Sequence, residues 1–248
     1  MTLKRDELHG EGALAVINIY PRANDREAAR ISRRDLIGLM AVGVAHGIRN
    51  PLTVIKGYLQ LQDKRAVCCS GESLAIILQE LGKIEDFISD IILLAHNKTS
   101  KKSPQNLNDI VKKVYPAIQQ AAAPNGIAAE LVLAERLPLV NLDTAEIEQL
   151  IMHLAGNGIE AMGAGGRLTL GTAHEQQEVI LYVQDEGRGI PREQKSKIFA
   201  PFFTTKATNT GLGLAVSLSI LERHQGRITV LSAPGAGSIF KIRFPVGQ

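Results

Sequence analysis

Between residues 74 and 95 the apolar side chains Leu74, Ile77, Leu81, Ile84, Ile88, Ile91 and Ala95 follow one another at alternating spacings of three and four. Such a stripe is the seam of a coiled coil or helix bundle. Upstream, Ile37, Ala41, Ala45, Ile48, Leu52, Ile55 and Leu59 step the same way from about Ser32 to Asp63, and "VCCSGES" supplies a turn between the two. Two helices alone cannot bury both faces of a seam. A dimer that makes four helices can, so the pattern predicts a homodimeric helical hairpin; packing on the chain's own second domain is the alternative.

The first of these helices contains an irregular stretch, "VAHGIRNPLT", residues 44–53. Glycine inside a helix costs about 1 kcal/mol relative to alanine. Proline removes a hydrogen bond and clashes with the carbonyl four residues earlier, which for Pro51 belongs to Gly47. Glycine at that position lets the backbone relax beside His46.

Beyond the hairpin, "HNKTSKKSP" is polar, basic and ends in proline, as linkers do. The pattern then becomes mixed. "NLNDIVKKVYPAIQQAA", "DTAEIEQLIMHLAGNGIEAM" and "GLAVSLSILERH" read as helices, with Asp143 a suitable N-cap for the second. "IAAELVLA", "RLTLGTA", "EVILYVQDE", "GRITVLSA" and "SIFKIRFPV" read as strands. The predicted fold class is α+β: a two-helix dimerisation hairpin followed by an α/β sandwich with helices on one face of a mixed sheet. Its expected divisions are a lead-in of little periodicity at 1–30 with no assigned role, the hairpin at 31–97, a linker at 98–104 and the sandwich domain at 105–248.

Composition narrows the function. The net charge is +3 with both signs interleaved, so no nucleic-acid surface is expected. With no tryptophan and 4% aromatic residues, the core must be aliphatic. The two cysteines, Cys68 and Cys69, are adjacent and offer no disulfide framework, which fits a reducing compartment. No apolar run is long enough to span a membrane and "MTLKRDELHG" lacks a signal-peptide core, so a soluble cytoplasmic protein without membrane insertion is expected.

Three glycine-containing stretches carry the candidate chemistry. "DEGRGI" follows a strand and offers Asp185 beside backbone without side chains at Gly187 and Gly189. "TGLGL", residues 210–214, opens a helix whose free N–H groups and positive dipole end can hold phosphate. It is no Walker loop, since no Gly-Lys-Ser/Thr follows. "NGIEAM" places Asn157 on a helix, where its amide oxygen can reach a metal ion. Each is weak alone; their order, with "FAPFFTTK" between, is not.

In that order the sequence resembles the sensor histidine protein kinases of two-component systems, over residues from about 32 to 246. "VAHGIRNPLT" resembles their phosphoacceptor box, "LIMHLAGNGIEAM" the asparagine box and "VQDEGRGIP" the first glycine box. "IFAPFFTTK" resembles the phenylalanine box, "TNTGLGLAVSLSILERHQGRI" the second glycine box and "SAPGAGSIFKIRFP" the closing strands. "NPLTVIKGYLQL" brings it nearest to the soluble sporulation-type kinases.

The resemblance implies a phosphotransfer hairpin followed by an ATP-binding domain of the Bergerat type, with ATP and Mg²⁺ as cofactors. His46 would take the γ-phosphoryl group and pass it to an aspartate on a response-regulator receiver domain, and Asn50 would orient a water for dephosphorylating that partner. Asn157 would ligate Mg²⁺ and Asp185 would accept the adenine amino group, with Gly187 and Gly189 admitting the base. Thr205 and Lys206 in a mobile lid, with Gly211, Leu212, Gly213 and Leu214, would line the triphosphate, and Phe202 and Phe203 would pack the lid. His96 and His224 have no comparable context and read as structural or solvated.

Four positions depart from the family. Gly47 stands where an acidic residue usually polarises the phosphoacceptor, and His153 where the asparagine box often has a second Asn. Asn209 replaces a glycine, and His224-Gln225-Gly226 replaces "HGG". The missing carboxylate at 47 predicts slow autophosphorylation, since a positioned base contributes about 10²–10⁴-fold. It also admits the alternative of a nucleotide-binding scaffold or response-regulator phosphatase with weak kinase activity. A Glu-dependent ATP-driven clamp is disfavoured by His153 and by the hairpin.

Overall fold

The computed structural model describes the backbone of residues 15–19, and residues 44, 47–61, 71–95, 100–206 and 209–247. His46, His96, Cys68, Cys69 and residues 96–99 at the start of the basic stretch lie outside the described residues. The chain divides into two compact units, one of residues 1–20, 100–196 and 220–248, the other of residues 21–99 and 197–219.

In the second unit, helix α1 (47–61) and helix α2 (Gly71–Ala95) form the hairpin. The seam of α2 splits between two environments. Ile77, Ile84 and Ile91 are buried or half-buried, whereas Leu74, Leu81 and Ile88 are exposed, joined by Leu78 and Ile92. The first set follows the inner side of the hairpin with Phe87, and the second is a separate apolar stripe facing solvent.

Gly47 has a different reason to be glycine from relief of the Pro51 clash. A Cβ at 47 would lie 2.6 Å from Cε1 and 2.8 Å from Cε2 of Phe87. Phe87 is only 2% exposed, so its ring cannot swing aside into solvent. The aromatic ring fills the volume that a side chain at 47 would need.

The first unit is built on a six-stranded sheet, β1 (Ala15–Ile19), β3 (Ala128–Val132), β5 (Arg167–Glu175), β6 (Glu178–Asp185), β7 (Arg227–Ser232) and β8 (Ser238–Pro245), in the order β1-β7-β8-β6-β5-β3. All neighbours are antiparallel except β3 with β5. Period-2 alternation is clean in β8, where Ser238, Phe240, Ile242 and Phe244 are buried and the residues between them are half-buried. Helices α3 (Leu107–Ala122) and α4 (Thr144–Met162) pack on each other and on β5 and β6. Asp143 caps α4 as its sequence suggests, its carboxylate accepting from the amides of Ala145 (3.1 Å) and Glu146 (3.3 Å).

Two segments depart from the sequence reading. Within the unassigned lead-in, Ala15–Ile19 forms strand β1 and pairs with β7, from Ala15 opposite Ser232 to Ile19 opposite Ile228. Its sequence "AVINI" is apolar at four of five positions, so it shows no period-2 alternation. At the end of the expected linker, Ser103 and Pro104 belong to β2 (Ser103–Gln105), which pairs with β4 (Val140–Leu142) in a separate two-stranded sheet. An edge strand tolerates the proline, whose missing N–H a central strand would need.

A buried polar cluster ties the start of this unit to its helices. Glu146 accepts from Arg223 Nε at 3.2 Å and from the Ser100 hydroxyl at 2.8 Å. The Lys101 amide donates to Asp143, and Lys102 Nζ to the Arg223 carbonyl at 2.7 Å. His224, 5% exposed, accepts the Asp143 amide on Nε2 at 2.9 Å, so its Nδ1 carries the proton toward the Ile220 carbonyl at 2.8 Å. Of the two readings of this histidine, the structural one holds: burial holds its pKa below the ordinary value, against the Ile220 carbonyl and the Glu146 charge.

Candidate active site

Asp185 ends β6 and is 4% exposed. Its Oδ1 accepts the Gly187 amide at 2.9 Å, and the Ser238 backbone and hydroxyl also bond to the carboxylate. Burial pushes its pKa above the usual carboxylate value, and those three hydrogen bonds oppose the rise.

The helix that faces it comes unusually close. A Cβ at Gly158 would lie 2.7 Å from Leu168 Cδ1 and 3.2 Å from Asp185 Cβ, so a larger residue there requires the Leu168 side chain to shift. One residue earlier, Asn157 is half-buried, and its Nδ2 is buried without a hydrogen-bond partner. An orphaned buried amide costs on the order of 1–3 kcal/mol, which a ligand can recover. Amide oxygen and nitrogen exchange places on a flip of the side chain, so either can face that ligand.

After Asp185 the chain is threaded between α4 and the turn that joins β7 to β8. A Cβ at Gly187 would lie 2.8 Å from the Ala161 carbonyl carbon, and the Arg188 amide donates to the Ala161 oxygen at 3.2 Å. Gly189 has φ +69° and backs directly onto the Ala233 carbonyl, so it needs glycine for both conformation and space.

The loop is held by residues that carried no role in the sequence reading. Ser232 is fully buried; its Oγ accepts from the Ile190 amide (2.9 Å) and lies 2.9 Å from the Gly237 oxygen and 3.0 Å from Ser238 Oγ. Lys195 donates from Nζ to the Ser232 carbonyl at 2.5 Å. The available signal was a serine at a core-facing position of each of two otherwise apolar alternating strands, at Ser232 and Ser238.

The structure thus brings Asn157, Asp185, Gly187 and Gly189 together. Thr205, Lys206, Gly211, Leu212, Gly213 and Leu214 belong to the second unit. There, Thr204 Oγ1 closes a turn by accepting the Lys206 amide at 3.0 Å, and Thr205 is exposed. Gly211, at φ +68°, lies against the Phe202–Phe203 backbone, and Phe202 itself is left-handed at φ +64°. Leu212 is buried, and its carbonyl accepts the Val216 amide at 2.9 Å at the start of α5 (Gly213–Arg223). Gly213 and Leu214 therefore occupy its first turn, where amides lack helical partners. Asn50 is exposed on α1, which also carries an open hollow of about 400 Å³ lined by Val44, Ile48, Arg49, Leu52, Thr53 and Lys56.

Residues 37–100 match the family described as the His Kinase A (phospho-acceptor) domain, and residues 142–248 the Histidine kinase-, DNA gyrase B-, and HSP90-like ATPase. The solved catalytic domain of histidine kinase ThkA is 31% identical, with a TM-score of 0.54 over 58% of this chain and 95% of that one. The chain belongs to the histidine kinases. Its second domain is accordingly an ATP-binding domain. Sporulation kinase A of Bacillus subtilis (strain 168) is 36% identical over 95% of this chain and 39% of its own length. ThkA in complex with response regulator protein TrrA aligns at a TM-score of 0.69 and 29% identity, over 90% of this chain and 66% of that one. The chain spans about half or less of the length of the curated relatives it matches. Among the described residues, no helix is long and apolar enough to cross a membrane.

Proposed function

We propose that this chain is the catalytic core of an ATP-dependent histidine autokinase that passes its phosphoryl group to a response-regulator receiver domain. The observation that carries this reading is the buried Asp185 carboxylate at the end of β6, with Gly187 and Gly189 in the turn after it and, on the helix packed against it, an Asn157 Nδ2 without a hydrogen-bond partner. Asp185 accepts the adenine amino group, and Gly187 and Gly189 let the turn that follows it pack against α4 and the Ala233 carbonyl. Gly211 and Gly213, with Thr205 and Lys206, cover the phosphates at the α5 N-terminus, where free amides favour an anion.

Asn157 fits a Mg²⁺ ligand, because its Nδ2 is buried without a hydrogen-bond partner and a flip of the amide would set the oxygen at that point. Bound there with the nucleotide, the ion would neutralise charge on the phosphates. A ring nitrogen of neutral His46 attacks the γ-phosphorus; the bond to the β,γ-bridging oxygen breaks, ADP leaves with that electron pair, and the imidazole sheds its N–H proton. The phosphoryl group then moves to a receiver aspartate. Asn50, exposed on α1, orients water for the reverse task of dephosphorylating that aspartate. The exposed stripe of Leu74, Leu78, Leu81, Ile88 and Ile92 is covered by a second copy of the hairpin.

A second reading, a nucleotide-binding scaffold or response-regulator phosphatase, is favoured by one observation: the Phe87 ring occupies the space of any polarising side chain at 47. Incubation with γ-labelled ATP and Mg²⁺ separates the two. The kinase reading expects acid-labile, base-stable label that disappears in His46→Gln, and loss of nucleotide binding in Asp185→Asn. Binding without label supports the scaffold, and label that persists in His46→Gln refutes the assignment of the nucleophile.

A further inference from the structure

Helix α4 presents a stripe of residues at i, i+4 and i+8 that starts at His153, passes Asn157 and ends at Ala161. Residues so spaced lie one above the other on the same helix face. The stripe is anchored at its C-terminal end, where the Ala161 carbonyl receives the Arg188 amide and the helix abuts Gly187, two residues after Asp185. Each step back along the helix covers about 6 Å. Asn157 therefore stands one step from the end that packs beside Asp185, and His153 one step further from it. Both side chains are half-buried.

Two ligating side chains four residues apart on one helix are a standard way to seize a single metal ion. Among the described residues, no group of three or more His, Cys, Asp or Glu is placed to hold a metal without help. Two protein donors with the remaining positions filled by phosphate and water is the usual composition of a nucleotide-dependent cation site. An amide and an imidazole differ in softness, however. Amide, carboxylate and water oxygens suit Mg²⁺, whereas imidazole nitrogen favours the later first-row ions.

We propose that His153 is a second ligand, beside Asn157, to the nucleotide-bound cation, and that its imidazole shifts the site's preference from Mg²⁺ toward ions such as Co²⁺. This rests on the ATP-site reading above, and it makes residue 153 a determinant of metal specificity.

The test is the affinity of the full chain for a non-hydrolysable ATP analogue, titrated calorimetrically with Mg²⁺ and with Co²⁺, in the parent and in His153→Asn. The expected result is a Co²⁺-over-Mg²⁺ preference at least tenfold greater in the parent than in the variant. Equal weakening with both ions, or no change with either, overturns the assignment while leaving the ATP site standing. No analogue binding by the parent with any cation refutes the ATP-site reading itself. A second measurement needs no variant. Pulsed electron paramagnetic resonance of Mn²⁺ bound with the analogue should show nitrogen coupling that converts from ¹⁴N to ¹⁵N when histidine alone is isotopically labelled. A spectrum unaffected by the label removes His153 from the coordination sphere.

Discussion

Gly47, next to the proposed phosphoacceptor His46, is the most informative residue to perturb, because two physical effects at that position have opposite signs. Replacing a helical glycine by alanine stabilises the helix by about 1 kcal/mol. Forcing a methyl group into a filled core destabilises by about 1–3 kcal/mol. In α1 the second effect wins: a Cβ at 47 would stand 2.6 Å from Phe87 Cε1, and the ring is held on all sides. Gly47→Ala should therefore destabilise α1 by about 0–2 kcal/mol, the difference of those two ranges. In a Phe87→Leu background the ring edge is gone, and the same alanine should stabilise by close to the full helix-propensity gain.

The readout is hydrogen exchange of peptides from 47–61 and 77–91, which reports local opening where a two-unit chain has no single unfolding free energy. The double-mutant cycle should give a coupling of at least about 1 kcal/mol, within the range for residues in contact. The same logic governs rate. Gly47→Glu alone must displace Phe87 and should not accelerate autophosphorylation, whereas in Phe87→Leu it should raise the rate at least about tenfold, at the low end for a positioned base. A coupling indistinguishable from zero, or acceleration by Gly47→Glu with Phe87 intact, would refute the packing argument and restore backbone relief at Pro51 as the reason for the glycine.

Two further outcomes follow from the ATP-binding unit. Burial holds the folded-state pKa of His224 below its unfolded value. Below about pH 6.5 the unfolded chain takes up a proton that the folded chain refuses, so stability present above that pH is lost as pH falls. Urea denaturation at pH 7.5 and 5.5 should show this loss, and His224→Gln should reduce it; equal losses in both proteins would remove His224 as the cause. Ser232→Ala strips a partner from the half-buried Ile190 amide at 2.9 Å and removes the buried bond to the Gly237 oxygen, at a cost of about 1–3 kcal/mol, and loosens the loop that carries Gly187 and Gly189. Denaturation together with nucleotide titration should show both stability and affinity falling, and unchanged affinity would separate Ser232 from the site.

What the sequence disclosed and what it withheld divide along one line, the separation of interacting residues along the chain. The α2 stripe, the Asp143 cap and the alternation in β8 each lie within a few residues, so they appear in a local pattern. Asp185, Gly187 and Gly189 sit inside a single turn, so their closeness was legible for the same reason. Ser232 bonds a residue 42 positions away, and its role needed the register of β7 against the loop after β6. Strand β1 finds its partner more than 200 residues later, and nothing in five residues states that. Gly47 shows how such a gap misdirects chemical reasoning. From sequence its lack of a side chain is a missing carboxylate and a softened helix, because both comparisons are local. In the fold the same position is filled from Phe87, forty residues on, so that glycine and aromatic ring make one packing unit. An acidic residue cannot be restored at 47 without also changing 87.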